Sequence, residues 1–272
     1  MKIREEEIKE LVDEILDSKK YRQAGLNRQT VTDLIHQEAG HHTSHKKLIK
    51  AVRRKLHNIV APYLGEPDYD DLSSRLEKIN NPSLDSPELQ AICYEALSQH
   101  ASTAERIPHM DSFYNQLFSE TGTPEILLDL ACGLKPLAFP WMGLPITTRY
   151  HAYDIRQPRI DFINRFFRKI DIVPLAENRD ILVNPPDIQA DLALFFKEAH
   201  RFEKRQPGCN RSFWANLKVA ILAVSLPATD LSGRHSLIPQ HRKLVDDNLP
   251  RHHTVRELIL ENEIVFLIEK QG

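Results

Sequence analysis

Three acidic residues and one glycine follow apolar segments in the second half of the chain. Asp129 and Gly133 belong to the string LLDLACGLKPL at 127–137, and a glycine lets a ligand approach the backbone where a Cβ would clash. Asp154 follows Gly133 by 21 residues, and Asp180 follows by a further 26. A carboxylate accepts two hydrogen bonds at once, so Asp154 can bind both hydroxyls of a ribose. The spacing predicts a site for an adenosine-containing ligand, with Asp180 accepting from the adenine amino group.

The turn after the first of these segments distinguishes two kinds of adenosine ligand. A dinucleotide site needs three glycines around the pyrophosphate, but Ala131 and Pro136 stand at the first and third positions here. S-adenosyl-L-methionine (SAM) has no phosphate and tolerates that loss. The turn therefore favours SAM over NAD, and an NAD-dependent oxidoreductase rests on fold analogy alone. The remaining alternative is that the acids and the glycine only cap turns.

Short apolar runs alternate with helical stretches after residue 125, which predicts a parallel sheet with crossover helices. The last two runs, 255–260 and 264–268, are separated by three residues, a gap that is too short for a crossover and predicts an antiparallel hairpin. This combination is typical of an α/β, Rossmann-like class I SAM-dependent methyltransferase domain. The predicted parallel strands are 126–131, 150–153, 170–173, 190–195 and 219–225, with helices such as 158–169 and 196–205 between them.

The first part of the chain shows helical periodicity and no strand pattern. We therefore predict an all-helical N-terminal domain over residues 1–105, followed by a SAM-binding domain over residues 106–272. The predicted helices are 8–16, one beginning after the N-cap residue Asn27, one from near Ser44 to Pro62, 87–99 and 109–119, with breakers at 66–68 and 80–82.

Charge is distributed unevenly along the chain. The chain has 36 Lys and Arg against 38 Asp and Glu, a formal net charge of −2, yet residues 39–65 contain no acid. A cationic helix face without counter-charge attracts a phosphate backbone, although a solvated helix face is the simpler alternative. The near-zero total therefore excludes only a uniformly basic surface. This stretch contains Lys46, Lys47, Lys50, Arg53, Arg54 and Lys55, and weaker basic sets are Lys204, Arg205 and Arg211, and Arg234, His235, Arg242 and Lys243.

Composition and apolar patterning predict a cytoplasmic protein without a membrane partner. No apolar run approaches 18 residues, and the first ten residues, MKIREEEIKE, lack the apolar core of a signal peptide. The three cysteines are odd in number and widely spaced, so they fit a reducing compartment and predict neither a disulfide framework nor a zinc site. The histidines of 39–65 lack a nearby carboxylate or thiolate, so we expect no metal. We expect a monomer.

Several strings together resemble the 16S rRNA guanine-N7 methyltransferases that confer aminoglycoside resistance. Each string alone is unspecific, but the combination is fairly specific, and the resemblance covers most of the chain. The strings are HASTAERI at 100–107, LLDLACGLKPL at 127–137, DLALFFK at 191–197, VSLP at 224–227 and LSGR at 231–234, with SKKY at 18–21 and RKLH at 54–57 in the helical part.

The resemblance implies an enzyme that pairs a helical RNA-docking domain with a SAM-binding domain. Such enzymes methylate N7 of one decoding-site guanosine of 16S rRNA in the assembled 30S subunit, which blocks gentamicin- and kanamycin-type drugs, and they release S-adenosyl-L-homocysteine. Because guanine N7 already carries a free lone pair, we nominate no residue for proton transfer. The residues that the resemblance implies for the cofactor are His100, Thr103, Gly133, Lys135, Asp154, Ile155, Asp180 and Ile181. Those implied for a loop beside the target base are Ser225, Leu226 and Pro227. Those implied for rRNA are Lys20, Arg53, Arg54 and Arg234, to which we add Lys46, Lys47, Lys50 and Lys204 because of their charge.

The chain departs from the family pattern at five positions. The family usually has Arg, which holds the SAM carboxylate, at the position of Ala104, and Asn at the position of Lys135. Lys135 lies in the same turn region and could take over the carboxylate. The other departures are Arg156 in place of an acid, Thr229 in place of a basic residue and Ile238 in place of Met. These differences indicate a distant member and keep open an alternative, a 30S- or RNA-binding relative with weakened or lost catalysis.

Overall fold

One seven-stranded sheet forms the centre of the second half of the chain. The computed structural model describes residues 3–60, 66–230 and 232–270. The strands are β1 Ile126–Leu130, β2 Arg149–Asp154, β3 Leu175–Asn178, β4 Ala190–Phe196, β5 Val219–Pro227, β6 His253–Leu260 and β7 Glu263–Lys270. Their order in the sheet is β3-β2-β1-β4-β5-β7-β6, in which β1 to β5 run parallel and β7 runs antiparallel to both β5 and β6. The predicted parallel sheet and its terminal antiparallel hairpin are confirmed.

The predicted third strand is wrong. Residues 170 and 171 form the turn that follows a helix, residues 172–174 have no regular secondary structure, and the strand begins at Leu175. Asp171 has a φ of +58°, which interrupts the extended conformation there. Ile170 and Ile172 are nevertheless buried, because the turn packs beneath the sheet. An apolar run therefore imitated a strand, since burial alone does not require extended backbone.

Helices make up the first part of the chain and flank the sheet. The helices predicted at 8–16, after Asn27, near Ser44, at 87–99 and at 109–119 are confirmed. In this part of the chain the helices Lys19–Ala24, Tyr69–Lys78 and Ala101–Ala104 were not predicted, and Pro62 lies outside the described residues. None of the helices in the described part of the chain combines the length and the apolarity that a membrane span requires. The helices are α1 Glu5–Leu16, α2 Lys19–Ala24, α3 Arg28–Ala39, α4 His45–Val60, α5 Tyr69–Lys78, α6 Pro87–Ser98, α7 Ala101–Ala104, α8 Met110–Thr121, α9 Gln157–Lys169, α10 Ala199–Arg205, α11 Cys209–Asn216 and α12 Ile238–Asn248.

Helix α5 occupies the segment between the two predicted breakers. The Asp68 side chain caps it by accepting hydrogen bonds from the backbone N–H groups of Asp70 and Asp71, at 3.1 and 3.0 Å. Its fully buried residues are Leu72 and Leu76, which give one short apolar pair at helical spacing. The periodic signal was therefore too short to identify this helix from sequence.

The helices divide between two hydrophobic cores. Helices α1 to α4 enclose a core of their own that contains Ile15, Leu34 and Leu56. Helices α5, α6 and α8 instead share the core on one face of the sheet, where α5 packs against α9. The cores therefore separate between α4 and α5, earlier in the chain than the predicted domain boundary at residue 105.

The start of α3 joins the N-terminal helices to the sheet. Asn27 caps α3 by accepting from the backbone N–H groups of Gln29 and Thr30, at 2.9 and 3.3 Å. Its side-chain amide also donates to the carbonyl oxygen and the Oδ1 atom of Asn178, at 3.0 and 2.7 Å. The backbone N–H of Asn27 donates to the carbonyl of Ile155 at 2.9 Å. One residue therefore starts a helix and fastens it to the carboxyl ends of β2 and β3.

We expect Asn27→Ala to lower the free energy of unfolding by about 2 kcal/mol, because the helix loses its cap and Asn178 loses two hydrogen bonds. Urea denaturation followed by circular dichroism measures this change. Gln23→Ala, at an exposed position of α2, is the matched control and should stay within about 0.5 kcal/mol of the wild type. Equal stability of both variants would contradict the role of Asn27.

Candidate cofactor and RNA site

A cavity opens at the carboxyl ends of the parallel strands, where ligands of open α/β sheets bind. Its walls come from the turn after β1, the ends of β2 and β4, the segment after β3, and helices α4 and α7. The structure brings together all eight residues predicted for the cofactor: His100, Thr103, Gly133, Lys135, Asp154, Ile155, Asp180 and Ile181.

Gly133 forms the floor of this cavity. Its φ of +56° lies in the left-handed region that favours glycine. Its N–H donates to Asp154 Oδ2 at 3.1 Å, and a Cβ at this position would lie 3.2 Å from Cε1 of His100. The His100 side chain is buried, and burial lowers its pKa to about 3, so the ring is neutral at physiological pH. The turn thus presents bare backbone beside an uncharged ring.

Asp154 is held by arginines at the end of β2. Its Oδ2 accepts from the Arg159 guanidinium at 2.8 Å, and its Oδ1 accepts from the backbone N–H of Arg156 at 3.0 Å. Both arginine side chains also pair with Glu66. Burial alone would lower the pKa of Arg159, but Asp154 and Glu66 raise it well above its usual value. The buried carboxylate is therefore charge-balanced and fixed in orientation.

Asp180 is fixed by elements from both parts of the chain. Its Oδ2 accepts from the Thr30 hydroxyl at 2.7 Å and pairs with the Arg205 guanidinium at 2.8 Å. Arg205 also pairs with Asp33 of α3 at 3.0 Å, and 8% of its side chain is exposed. The prediction that Arg205 belongs to a basic surface set is therefore wrong, because its charge is balanced inside the protein.

Lys135 lines the cavity, but its ammonium pairs with the buried carboxylate of Asp129. Burial raises the pKa of Asp129, and Lys135 opposes this shift. The Tyr150 hydroxyl donates to the same carboxylate at 2.7 Å. The ammonium is thus engaged before any cofactor binds, which weakens the sequence-based suggestion that Lys135 takes over a ligand carboxylate.

A buried ionic network near α7 was not predicted. Arg106 donates to both carboxylate oxygens of Glu263, at 2.6 and 2.7 Å. Lys197 lies 3.3 Å from the same carboxylate and 2.7 Å from Glu105. Arg106 and Lys197 both line the cavity close to Ala104, the last residue of α7. Arg106 and Lys197 belong to the family-like strings at 100–107 and 191–197. Their acidic partner on β7 is distant in sequence and lies outside these strings, so no sequence pattern pointed to it.

The segment predicted to form a loop beside the target base is the end of strand β5. Ser225 and Leu226 are fully buried, and the Ser225 hydroxyl donates to Glu263. Pro227 ends the strand and is half-buried. The backbone N–H of Lys197 donates to the carbonyl of Ser225 at 2.7 Å. The segment therefore lies beside the end of β4, but the Leu226 side chain belongs to the core and the Ser225 hydroxyl is engaged by Glu263.

The residues predicted for rRNA form one cluster and two separate positions. On α4, Lys46, Lys47, Lys50 and Arg54 are exposed, whereas Arg53 is half-buried and donates to the carbonyl of Glu14 at 3.3 Å. Lys20 joins this face, since its Nζ lies 3.0 Å from Nδ1 of His57. Lys55 turns away from it and pairs with Glu38 at 2.6 Å. We call the exposed set the α4 basic face; Lys204 and Arg234 are exposed elsewhere, on α10 and on the segment before α12.

The remaining departures from the family pattern have local partners. Arg156 pairs with Glu66 at 3.1 Å and donates to the carbonyl of Val60 at 3.3 Å. The Thr229 hydroxyl donates to Oδ1 of Asn262 at 2.9 Å, and Ile238 is the first residue of α12. Arg156 therefore ties the end of β2 to the end of α4.

We expect Gly133→Ala to weaken SAM binding at least about tenfold, because the new Cβ meets His100 and the left-handed conformation costs about 1–2 kcal/mol. Isothermal titration with SAM measures this affinity. Gly40→Ala is the matched control, since Gly40 has a φ of −68° and open space around it. Wild-type affinity in Gly133→Ala would contradict a cofactor position at this turn.

Comparison with known proteins identifies the family. The family described as ribosomal RNA methyltransferase (FmrO) matches residues 17–266. A 16S rRNA (guanine(1405)-N(7))-methyltransferase of Serratia marcescens is 32% identical over 267 residues, which cover 97% of this chain and 99% of the relative. The enzyme of that name from Micromonospora echinospora is 30% identical over 226 residues, 82% of each chain.

Two solved structures are similar along almost the whole chain. The 16S rRNA methyltransferase RmtF in complex with S-adenosyl-L-homocysteine has a TM-score of 0.81 and 27% identity, with 99% of this chain and all of that chain covered. The 16S rRNA methylase RmtB has a TM-score of 0.80 and 30% identity, with 97% of this chain and 98% of that chain covered. The predicted fold class, enzyme class and SAM cofactor are confirmed. The chain belongs to the FmrO family of ribosomal RNA methyltransferases.

Proposed function

We propose that this enzyme transfers the methyl group of SAM to N7 of one decoding-site guanosine of 16S rRNA in the assembled 30S subunit, and so confers aminoglycoside resistance. One observation carries this proposal. The cavity that unites the eight cofactor positions is also lined by Ile59 and Val60 of α4, the helix that presents the basic face. An RNA held on that helix lies close to a cofactor held at the sheet. We expect a cytoplasmic location, because the proposed ribosomal substrate is cytoplasmic, and we expect a monomer.

The charged groups that line the cavity suit SAM. When bound, SAM supplies an electrophilic methyl group on a sulfonium. Asp154 would accept hydrogen bonds from the ribose hydroxyls and Asp180 from the adenine amino group, since each carboxylate is already oriented by an arginine. At the end of the cavity near Ala104, two cations, Arg106 and Lys197, share one buried carboxylate, that of Glu263, so we assign this end to the carboxylate of the cofactor.

The reaction needs orientation and not proton transfer. Guanine N7 has an exposed lone pair, so the protein must hold the flipped base in line with the methyl group and exclude water. The ends of β4 and β5 meet beside the cavity, where Lys197 bonds to Ser225. We therefore assign the target base to this edge of the sheet, with backbone of Ser225, Leu226 and Pro227 beside it.

The α4 basic face would bind the rRNA backbone. The exposed ammonium and guanidinium groups release counterions when they neutralise phosphates, which supplies sequence-independent affinity. Lys204 and Arg234 extend the contact beyond α4 in this proposal. The N-terminal helices would thus dock the RNA, while the sheet binds the cofactor.

Methylation of purified 30S subunits tests the proposed reaction. With tritiated SAM we expect about one methyl group per subunit, and chain cleavage at N7-methylguanosine by borohydride and aniline should map it to one decoding-site guanosine. Asp154→Asn, which keeps the side-chain shape but loses the carboxylate, should lose most incorporation. Expression in a sensitive bacterium should give resistance to gentamicin and kanamycin.

Two results of this assay would contradict the proposal. Binding of SAM and of 30S subunits without methyl transfer would instead support the alternative of a relative that has lost catalysis. Methylation of another atom or of naked RNA alone would exclude the proposed target.

A charge-removal variant tests the docking role of α4. The triple variant Lys46→Gln, Lys50→Gln, Arg54→Gln should bind 30S subunits at least about tenfold more weakly and lower the slope of log affinity against log salt by about 3. Affinity for SAM should not change. Filter binding at several salt concentrations measures the slope.

The matched control removes three exposed cations away from α4, by Lys78→Gln, Arg149→Gln and Arg168→Gln. It has the same net charge as the α4 variant. If both variants bind 30S subunits equally, the α4 basic face does not dock the RNA.

A further inference from the structure

A groove adjoins the cofactor cavity between α4 and α10. It has a volume of about 450 Å³ and shares four lining residues with the cavity. A substrate in this groove would therefore lie next to the cofactor, as direct methyl transfer requires. The shared residues are Ile59, Glu198, Phe202 and Arg205.

The lining of the groove suits a nucleotide. Lys204 is exposed at its rim and carries a positive charge, whereas the charges of Lys55 and Arg205, which also line it, are balanced by Glu38 and by Asp33 and Asp180. Ile59 and Phe202 give it an apolar surface on which a base can lie. A phosphate of the RNA would thus contact Lys204 at the rim, while the base would lie deeper in the groove, against Ile59 and Phe202, next to the cofactor.

Glu198 is the acidic residue of this groove. Its side chain is 12% exposed, and Nε of Arg201 lies 3.6 Å from its carboxylate. It follows Lys197, whose backbone N–H bonds to Ser225, so it stands at the meeting point of the ends of β4 and β5. A nearly buried carboxyl group at the border of two cavities, next to the assigned place of the target base, has a position from which it can contact that base.

We propose that Glu198 accepts hydrogen bonds from N1–H and N2–H of the target guanine and makes the enzyme select guanine. These two donors lie side by side on the Watson–Crick edge, and a carboxylate accepts both at once. This inference rests on the proposed function, since it concerns the base that receives the methyl group.

The charge balance of the reaction favours this placement. The N7 lone pair forms the new bond to the methyl carbon while the carbon–sulfur bond of SAM breaks. The electron pair of the broken bond stays on sulfur. The positive charge thereby moves from the sulfonium to the guanine ring. A carboxylate on the opposite edge of the ring stabilises that charge. Burial raises the pKa of Glu198 to about 8, with Arg201 opposing, so the group is mostly protonated before the base binds. The two guanine donors and the positive charge that forms on the ring lower this pKa, and binding of guanine therefore ionises Glu198.

Adenine offers the test of selectivity, because it also has N7. Its Watson–Crick edge presents an N1 lone pair beside the N6 amino group. A carboxylate would set one of its oxygens against that lone pair, which repels adenine. A glutamine amide at this position removes the repulsion, since its NH₂ donates to N1 and its oxygen accepts from the N6 amino group.

The experiment measures methyl transfer from tritiated SAM to 30S subunits that carry either guanosine or adenosine at the target position. The wild type should modify the guanosine subunits only. Absence of this wild-type activity would contradict the proposed function, whereas the Glu198 variants test base recognition. Glu198→Ala should lose about 30-fold in kcat/KM on guanosine subunits, within the range of one bidentate base contact. Glu198→Gln should raise the adenosine-to-guanosine activity ratio at least about tenfold.

Two controls separate base recognition from folding. All variants should bind SAM within about twofold of the wild type. Glu88→Gln, at an exposed position in the first turn of α6, should leave both activities unchanged. If Glu198→Ala keeps wild-type activity, or if it loses activity while Glu198→Gln leaves the activity ratio unchanged, Glu198 does not read the base and the inference fails.

Discussion

The structure depends on two buried carboxylates at the carboxyl ends of the parallel strands, each of which pairs with an arginine. Asp154 is the last residue of β2, Asp180 lies two residues after β3, and each is nearly inaccessible to solvent. A buried charge without a partner is strongly destabilising, so arginines must reach both groups. Arg159 reaches Asp154 from α9, and Arg205 reaches Asp180 from α10. The arginines balance the two buried charges and also fix the orientation of two carboxylates, which can accept hydrogen bonds, in the lining of the cavity.

The carboxylates also fix the position of the N-terminal helices. Thr30 of α3 donates to Asp180, and Asn27 bonds to the end of β3, so α3 is attached where adenosine is proposed to bind. Arg156 links the end of β2 to the last residue of α4. The helix that carries the basic face is therefore fixed relative to the cavity at the carboxyl ends of the strands.

A second buried network holds the other end of the cavity. Glu263 of β7 accepts hydrogen bonds from Arg106 and from the hydroxyl of Ser225, and it pairs with Lys197. These contacts connect β7 to β5, to the residue after β4 and to the segment after α7. Burial acts to raise the pKa of Glu263, but Arg106 and Lys197 lower it overall, so the group is ionised. The antiparallel hairpin that marks the fold thus has a chemical role, because it supplies the counter-charge for two cavity cations.

The sequence by itself determined the features that depend on local patterns. Gly133 and Asp154 were predicted to meet, because each follows a strand of one parallel sheet and the carboxyl ends of such strands lie at the same edge. The three-residue gap before β7 excluded a crossover, and the absence of acids in 39–65 identified the α4 basic face. The tertiary structure decided what depends on partners distant in sequence. It placed β3 after a buried turn, balanced Arg205 and Lys135 internally, and set Glu198 between two cavities, because charge pairing and burial arise only when distant segments meet.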